Sequence, residues 1–494
     1  MKYHSLYYLK RGALQNWGKK RSNTSTLVFI LFLFTLLNIG VFNFFRASCP
    51  PATISIKYIE DQLRTPNFVS LLFDAGENTT ESFLHPDGSA RSSIFNMNVQ
   101  LGRYDNQRLY RIFDNVFVGD RYIHLSNRYN ICLATQSSID KLDSLSEVAQ
   151  HWSGPISLAV YVADDDEFSL LQGFVMFLQR CYDSITSQVA LHILVPKSLF
   201  LSPTSASINA PYNTDDYPCV VKPDKLIKEL LKKHHRPKHH HLLRANWKVK
   251  TAYPQNHLRN LARKNCQTYY NYLTDIDIIP SYNILDELDI FFKKSGQDKC
   301  RKCVYVIPTF ELDHRVKYPK SKSDLLRLCR KKLAQPFHHR IFIYNQYATN
   351  FSRWENTTND DRIHISHEVT NFEFLYEPFY ISVDTVPPHD ERFIGYGYTR
   401  NSQVYEMFIA GYTFKVLSPV FNCHWGLLTK KQRPPWREVQ NNYNRLLMDD
   451  FKREVFAKYK YIPPAALASG TVDVSSTKVA FSNGATGHKN TPKP

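Results

Sequence analysis

At 494 residues, with 43% hydrophobic and 14% aromatic side chains, the chain can bury one large core or two ordinary ones. That composition excludes a disordered scaffold for most of its length. A net charge of +17 would suit nucleic acid in an intracellular protein, and the N-terminus decides against that partner.

Leu27–Phe45 (LVFILFLFTLLNIGVFNFF) carries no charge. At ~1.5 Å per residue it reaches about 28 Å, enough to span a hydrocarbon core. Lys2, Lys10, Arg11, Lys19, Lys20 and Arg21 precede it, whereas only Arg46 and Lys57 follow closely. By the positive-inside rule, 1–26 is a cytosolic tail, 27–45 a single-pass type II signal anchor, and the remainder is lumenal. The run is long for a cleaved signal peptide, and no clean small-x-small site follows it. This topology excludes nucleic acid. Nine cysteines suit an oxidising lumen, and the odd number leaves at least one free or paired between chains. Cys300-x-x-Cys303 has no second pair at zinc-site spacing and reads as a structural disulfide. Lumenal sequons stand at Asn78, Asn350 and Asn356, and a cytosolic one at Asn23.

Residues 46–129 have mixed polarity without a sustained period and read as a stem and N-terminal lumenal segment. Next come a strand at Ile131–Thr135, an amphipathic helix over Ser138–Trp152 and a buried strand at Pro155–Val162. Asp164, Asp165, Asp166 and Glu167 could form a metal site, but they open the helix Phe168–Tyr182, where the helix dipole favours acids. Val189–Val195 is the next strand, and strand, helix, strand implies a parallel sheet. The basic stretch Lys222–Lys250, with its histidines between His234 and His241, reads as a solvated loop. A metal-binding tract and a patch for acidic glycans are its alternatives. Helix Asn256–Lys264 offers Arg259, Asn260 and Arg263 as contacts for nucleotide or phosphate, against plain surface charge on a packed helix.

The organising stretch is Tyr269–Ser281 (YYNYLTDIDIIPS), which reads as one buried strand ending at Pro280. Alternation along a strand puts Asp275 and Asp277 on one face, at the carboxyl end where open α/β sheets place their ligand crevice. Two hard oxygen donors there suit a divalent cation with open positions for a diphosphate. That is the chemistry of metal-dependent transfer from a nucleotide-activated donor. A helix at Ile284–Lys294, strands at Val304–Pro308 and Phe310–Leu312, a helix at Ser323–Leu333 and an aromatic loop at Asn345–Asn356 follow. Glu377–Trp425 then carries Asp390 and Glu391, Gly395 and Gly397, a helix with Glu406, a strand at Tyr412–Leu417, and His424. A histidine arriving late could complete an Asp275/Asp277/His424 metal set, although a lone histidine after a strand is usually an ordinary one. Ser, Thr, Ala, Gly and Pro dominate 464–494, where disorder is expected.

An ordered series of blocks across about 130–460 resembles family 49 of the inverting glycosyltransferases. They include CLATQSSID, HWSGPISLAVYVADDDE, YPQNHLRNLAR, TDIDIIPS, NFSRWEN, EPFY, VPPHDERF, YGYTRNSQ, AGYTFKVL and FNCHWG. The resemblance implies an α/β fold of the GT-A nucleotide-sugar transferase type over 130–463, a UDP-sugar donor and Mn²⁺. It implies that Asp275, Asp277 and His424 occupy metal-site positions. It further implies glucuronic acid moved from UDP-glucuronate in β-1,4 linkage to a glycan acceptor on a Golgi glycoprotein, in company with other Golgi glycosyltransferases. UDP-N-acetylglucosamine in β-1,3 transfer is the other donor reading, and a non-catalytic glycan-binding relative is the reading from another class. For the base that deprotonates the acceptor, Asp390 leads, with Glu406 and Glu391 behind it. Relatives carry small glycines where this chain has Ile381-Ser382-Val383-Asp384, and the His-rich stretch looks private to this sequence.

Overall fold

The computed structural model describes residues 94–98, 101–199, 201, 214, 217–234, 252–294, 300–358, 362–429 and 435–463. The expected anchor and cytosolic tail, most of the expected stem, residues 235–250 and 464–494 lie outside them. Among the described residues no helix is long and apolar enough to cross a membrane.

The strands are β1 (Arg103–Tyr104), β2 (Tyr110–Val118), β3 (Ile131–Ser138), β4 (Ile156–Tyr161), β5 (Val189–Pro196), β6 (Tyr270–Leu273) and β7 (Ile278–Pro280). The chain continues with β8 (Cys303–Ile307), β9 (Thr309–Leu312), β10 (Ala334–Pro336), β11 (His364–Glu368), β12 (Phe379–Val383), β13 (Thr413–Ser418) and β14 (Asn422–Trp425). Helices that matter here are α1 (Tyr122–Arg128), α2 (Leu145–His151), α3 (Asp165–Cys181), α4 (Pro223–His234), α5 (Gln255–Lys264), α6 (Ile284–Lys294), α7 (Lys322–Arg330), α8 (Asn401–Ile409) and α9 (Pro435–Tyr459). A ten-stranded sheet runs β1-β2-β5-β4-β3-β6-β12-β8-β13-β11, and a four-stranded sheet runs β10-β9-β14-β7.

The middle of the large sheet is parallel: β4 pairs with both β3 and β5, and β3 with β6. Along this part β4 is buried at every position, as a strand covered on both faces is. The four acids after β4 cap a helix as expected: the Asp164 carboxylate accepts from the Glu167 backbone N–H at 2.8 Å and opens α3. From β3 the chain winds outward through β4 to β5, then returns through α5 to lay β6 on the other side of β3. The strand order reverses between β3 and β6, and ligands bind outside the carboxyl ends at such a switch point.

Three expectations change. Residues 101–128, read within a stem and N-terminal lumenal segment without elements of their own, contribute to the core: β2 pairs antiparallel with β5, and Val116, Tyr122 and Leu125 are buried. The pattern hid this because the β2 ladder shifts register between Phe113 and Phe117, breaking the alternation. Ser138–Trp152 divides into a 3₁₀ turn (Ile139–Ser144) and α2, with Ile139, Leu142, Leu145 and Val148 all buried. Part of the basic stretch read as a loop is the helix α4. The cysteines pair as Cys132–Cys266, Cys181–Cys219 and Cys300–Cys303, the last as the sequence indicated, while Cys329 and Cys423 are free.

One buried histidine pins α5 to the sheet. His192 on β5 accepts at Nδ1 from the Asn115 backbone N–H (2.9 Å), so its neutral ring donates from Nε2 to Ser157 Oγ (2.9 Å), which donates to the Ala262 carbonyl of α5 (2.7 Å). Burial pushes the ring down to about 3 from the usual 6.5. The folded value lies below the unfolded one, so this stability is complete above pH 6.5 and drains away as pH falls toward 3. We expect the unfolding free energy to drop by about 1.4 kcal/mol per pH unit from this one proton between pH 6 and 4. Urea melts should show a shallower slope there for His192→Gln. Equal slopes would contradict the neutral-ring assignment.

Candidate active site

Both candidate aspartates lie at the switch point, but not on one strand. β6 stops at Leu273, and the Ile278 backbone N–H donates to the Asp275 carbonyl at 2.9 Å, closing a turn over Asp275–Asp277. β7 beyond it belongs to the small sheet. The turn therefore aims the two carboxylates at different partners.

Asp275 is clamped. It accepts from Gln136 Nε2 on β3 (3.0 Å) and Arg259 Nη2 on α5 (3.2 Å) at Oδ1, and from Arg400 Nη2 at Oδ2 (2.6 Å). Burial works to raise its pKa, but Arg259, Arg400 and Gln136 outweigh that and hold the carboxyl far below the usual range. Arg400 lies 4.0 Å over the Phe379 ring, which fixes its guanidinium plane.

Asp277 meets His424, as the small sheet dictates. β14 pairs antiparallel with β7 so that His424 stands opposite Ile278, one residue past Asp277. Asp277 Oδ2 is 3.8 Å from His424 Nε2 and 3.5 Å from Lys141 Nζ. Burial favours its neutral form, and the His424 ring and Lys141 reverse that to lower its pKa. At 3.8 Å the His424–Asp277 pair is too long for a hydrogen bond. Two ligands each about 2.1–2.3 Å from one cation stand roughly 3–4 Å apart, so the spacing suits a shared cation. Arg259 Nε, Arg400 Nη1 and His424 Nδ1 are buried without a hydrogen-bond partner. Such spare N–H groups are what a bound oxyanion would satisfy.

The remaining sequence candidates are committed elsewhere. Asn260 accepts from the His389 N–H (2.9 Å) and donates to the Glu391 carboxylate (3.0 Å), and Arg263 bonds Asp384 (3.0 Å) and the Pro387 carbonyl (3.1 Å). Those two hold the 384–391 loop, and of the three α5 side chains only Arg259 reaches Asp275. Asp390 is gripped by Arg392 (2.6 Å), which also binds Glu454 on α9. Glu406 accepts from Lys458 (2.7 Å) and Tyr459 (3.0 Å), tying α8 to α9 rather than joining the Asp275–His424 group.

A second group sits where β1–β2 meets α5. Asp105, His257 and Glu391 bring one ligand atom each within 4.8 Å of one another, the only such trio among the described residues. The Asp105 carboxylate already accepts the Tyr110 (2.6 Å) and Gln107 (3.1 Å) backbone N–H groups, and His257 Nε2 lies 3.4 Å from it and 3.7 Å from Glu391. Sequence reasoning missed this trio, because Asp105 lay in the presumed stem. It also missed Gln136, Arg400, Glu311 and Glu377, although CLATQSSID, YGYTRNSQ and EPFY contain three of them.

Arg400→Gln removes one of the two cations from a largely buried carboxylate. It should lower the unfolding free energy by about 1–3 kcal/mol in urea melts. An unchanged midpoint would mean that Arg259 suffices.

The family described as glycosyl-transferase for dystroglycan matches residues 130–460. Beta-1,4-glucuronyltransferase 1 of Homo sapiens is 30% identical over 334 residues, covering 68% of this chain and 77% of that protein. The Danio rerio protein of that name is 28% identical over 370 residues, covering 73% and 83%. A xylosyl- and glucuronyltransferase LARGE2s of Gallus gallus is 26% identical over 310 residues, covering 62% of this chain and 33% of its own length. Among solved structures, GalNAc-T7 with UDP, GalNAc and Mn²⁺ superposes at TM-score 0.33 and 9% identity over 70% of this chain and 53% of that one, too little to bear on the argument.

Proposed function

This chain belongs to the family of glycosyl-transferases for dystroglycan, and we propose that it transfers glucuronic acid from UDP-glucuronate, in β-1,4 linkage, to a glycan acceptor on Golgi glycoproteins. It is a glycosyltransferase by that membership. The donor and linkage come from the names of its relatives, β-1,4-glucuronyltransferases at 28–30% identity. The apolar run at 27–45 supports a type II Golgi anchor, and the parallel sheet with its switch-point cleft supports a GT-A fold.

The observation that carries the reading is the spacing of Asp277 and His424. In this reading those two side chains hold Mn²⁺, with Asp275 beside them. When bound, the cation supplies positive charge to the departing UDP diphosphate. Asp275 holds Arg259 and Arg400 in place, so that their spare N–H groups serve phosphate oxygens. Lys141 adds a further positive charge beside Asp277, suited to a donor that carries a carboxylate as well as a diphosphate.

A panel of UDP-sugars offered to the purified protein with Mn²⁺ tests the donor. UDP-glucuronate should be hydrolysed fastest, and hydrolysis confined to UDP-N-acetylglucosamine would overturn the donor assignment. His424→Ala should raise the Mn²⁺ concentration for half activity by on the order of 10- to 100-fold, because a ligating ring is lost. Asp277→Asn should lower kcat/KM by more than about tenfold. Full activity in chelator, or a wild-type Mn²⁺ requirement in both variants, would remove the cation from this place.

A further inference from the structure

Inversion at the anomeric carbon needs a base for the acceptor hydroxyl. Most of the carboxylates that the sequence or the Asp275–His424 group offers already have strong partners. Two arginines and Gln136 occupy Asp275, and Arg392 grips Asp390. Glu311 accepts from Gln335 (2.6 Å), the His338 N–H (2.8 Å) and the Leu428 N–H (3.1 Å). Asp277 faces His424 in the proposed cation site.

Glu377 differs. It stands two residues before β12, which runs antiparallel to β6 with Tyr380 opposite Leu273. Past the end of that ladder, Glu377 stands close enough to Asp275, Arg259 and Arg400 for their charges to act on its carboxyl. Its backbone is fixed on both sides: its N–H donates to the Asn345 carbonyl (2.8 Å), and its carbonyl accepts from Gln346 Nε2 (2.8 Å). Its half-buried carboxylate, by contrast, accepts one long hydrogen bond from Asn345 Nδ2 at 3.3 Å among the described residues. That is a rigidly mounted, lightly occupied acceptor within reach of the charges of the Asp275 cluster.

We propose that Glu377 is the general base of the transfer, a role that rests on the transferase reading above. Its carboxylate takes the proton of the acceptor hydroxyl as that oxygen bonds to the anomeric carbon. The bond from this carbon to the β-phosphate oxygen breaks with its electron pair, releasing UDP, and the proton then passes from Glu377 to water. Burial raises the Glu377 carboxyl above the ordinary glutamate range, against the pull of Arg400, Arg259 and the Asn345 bond and helped by Asp275. A carboxylate with raised affinity for protons is the better base. The groups facing it are Arg400, Arg259 and Asp275, with His338 behind Asn345, whose Nδ2 also meets His338 Nδ1 at 2.7 Å.

The test combines transfer rates with donor binding, with Mn²⁺ saturating. Wild-type kcat/KM should fall on the acid side, with its midpoint above the usual glutamate value. Glu377→Gln should lower kcat by about 10²- to 10⁴-fold and abolish that acid limb. Calorimetric affinity for UDP with Mn²⁺ should stay within twofold, and Glu377→Asp should recover part of the rate. Glu377→Gln transferring at more than a third of the wild-type rate overturns the proposal. So does loss of rate and UDP affinity together, which is the mark of a structural role. A wild-type profile flat down to pH 4.5 overturns it without any variant. A wild-type protein that transfers no sugar from any UDP donor sinks the transferase reading itself, an outcome separate from a failure at Glu377 alone.

Discussion

A carboxylate at the edge of a sheet core stays ionised only with countercharge close by, and Asp275 has recruited three separate parts of the chain to supply it. Arg259 comes from α5, Arg400 from the approach to α8, and Gln136 from β3. Taking an ion out of water costs several kcal/mol, and a buried ion pair recovers that only with good geometry and further hydrogen bonds. Here the geometry is set by the reversal of strand order between β3 and β6, which leaves a gap that only side chains can close. The Phe379 face under Arg400 and the His192–Ser157–Ala262 chain under α5 hold the two cations in position. With Asp275 held, the turn presents Asp277 to the small sheet, where His424 arrives.

The charged groups thus divide into those that build the cleft and those left for chemistry. Asn260 and Arg263 fasten the 384–391 loop, Arg392 closes Asp390 against α9, and Lys458 with Tyr459 holds Glu406. Each joins elements distant in sequence. The Asp105–His257–Glu391 trio does the same for the β1–β2 turn, α5 and the same loop. Its carboxylates accept backbone and Asn260 N–H groups, as a structural polar network does.

Much of this was legible in the residues. The apolar runs of β3, β4 and β5, the acids that cap α3 and the α5 helix followed from periodicity and capping. The Asp275/Asp277 pair stood out for its chemistry, and its place at a carboxyl strand end held. What failed was the single strand: Ile276, Ile278 and Ile279 are buried as strand residues would be, yet the chain turns between them into another sheet. Periodicity reports burial, not which sheet buries a residue. The proximity of His424 to Asp277 depends on the β14–β7 register, which no local pattern encodes. The partners of Glu406, Lys458 and Tyr459 on α9, were not legible either, because an acid on a helix looks alike whatever it faces. The strand within 101–128 went unread because a register shift erased its alternation.

The central claim is that a divalent cation carrying the donor's diphosphate sits between Asp277 and His424. A crystal structure of the protein with UDP and Mn²⁺, phased to show manganese anomalous scattering, tests it most directly. The account predicts a peak about 2.1–2.3 Å from Asp277 Oδ2 and His424 Nε2 and in contact with the diphosphate. Manganese found only among Asp105, His257 and Glu391, or UDP bound with no metal beside His424, would contradict it.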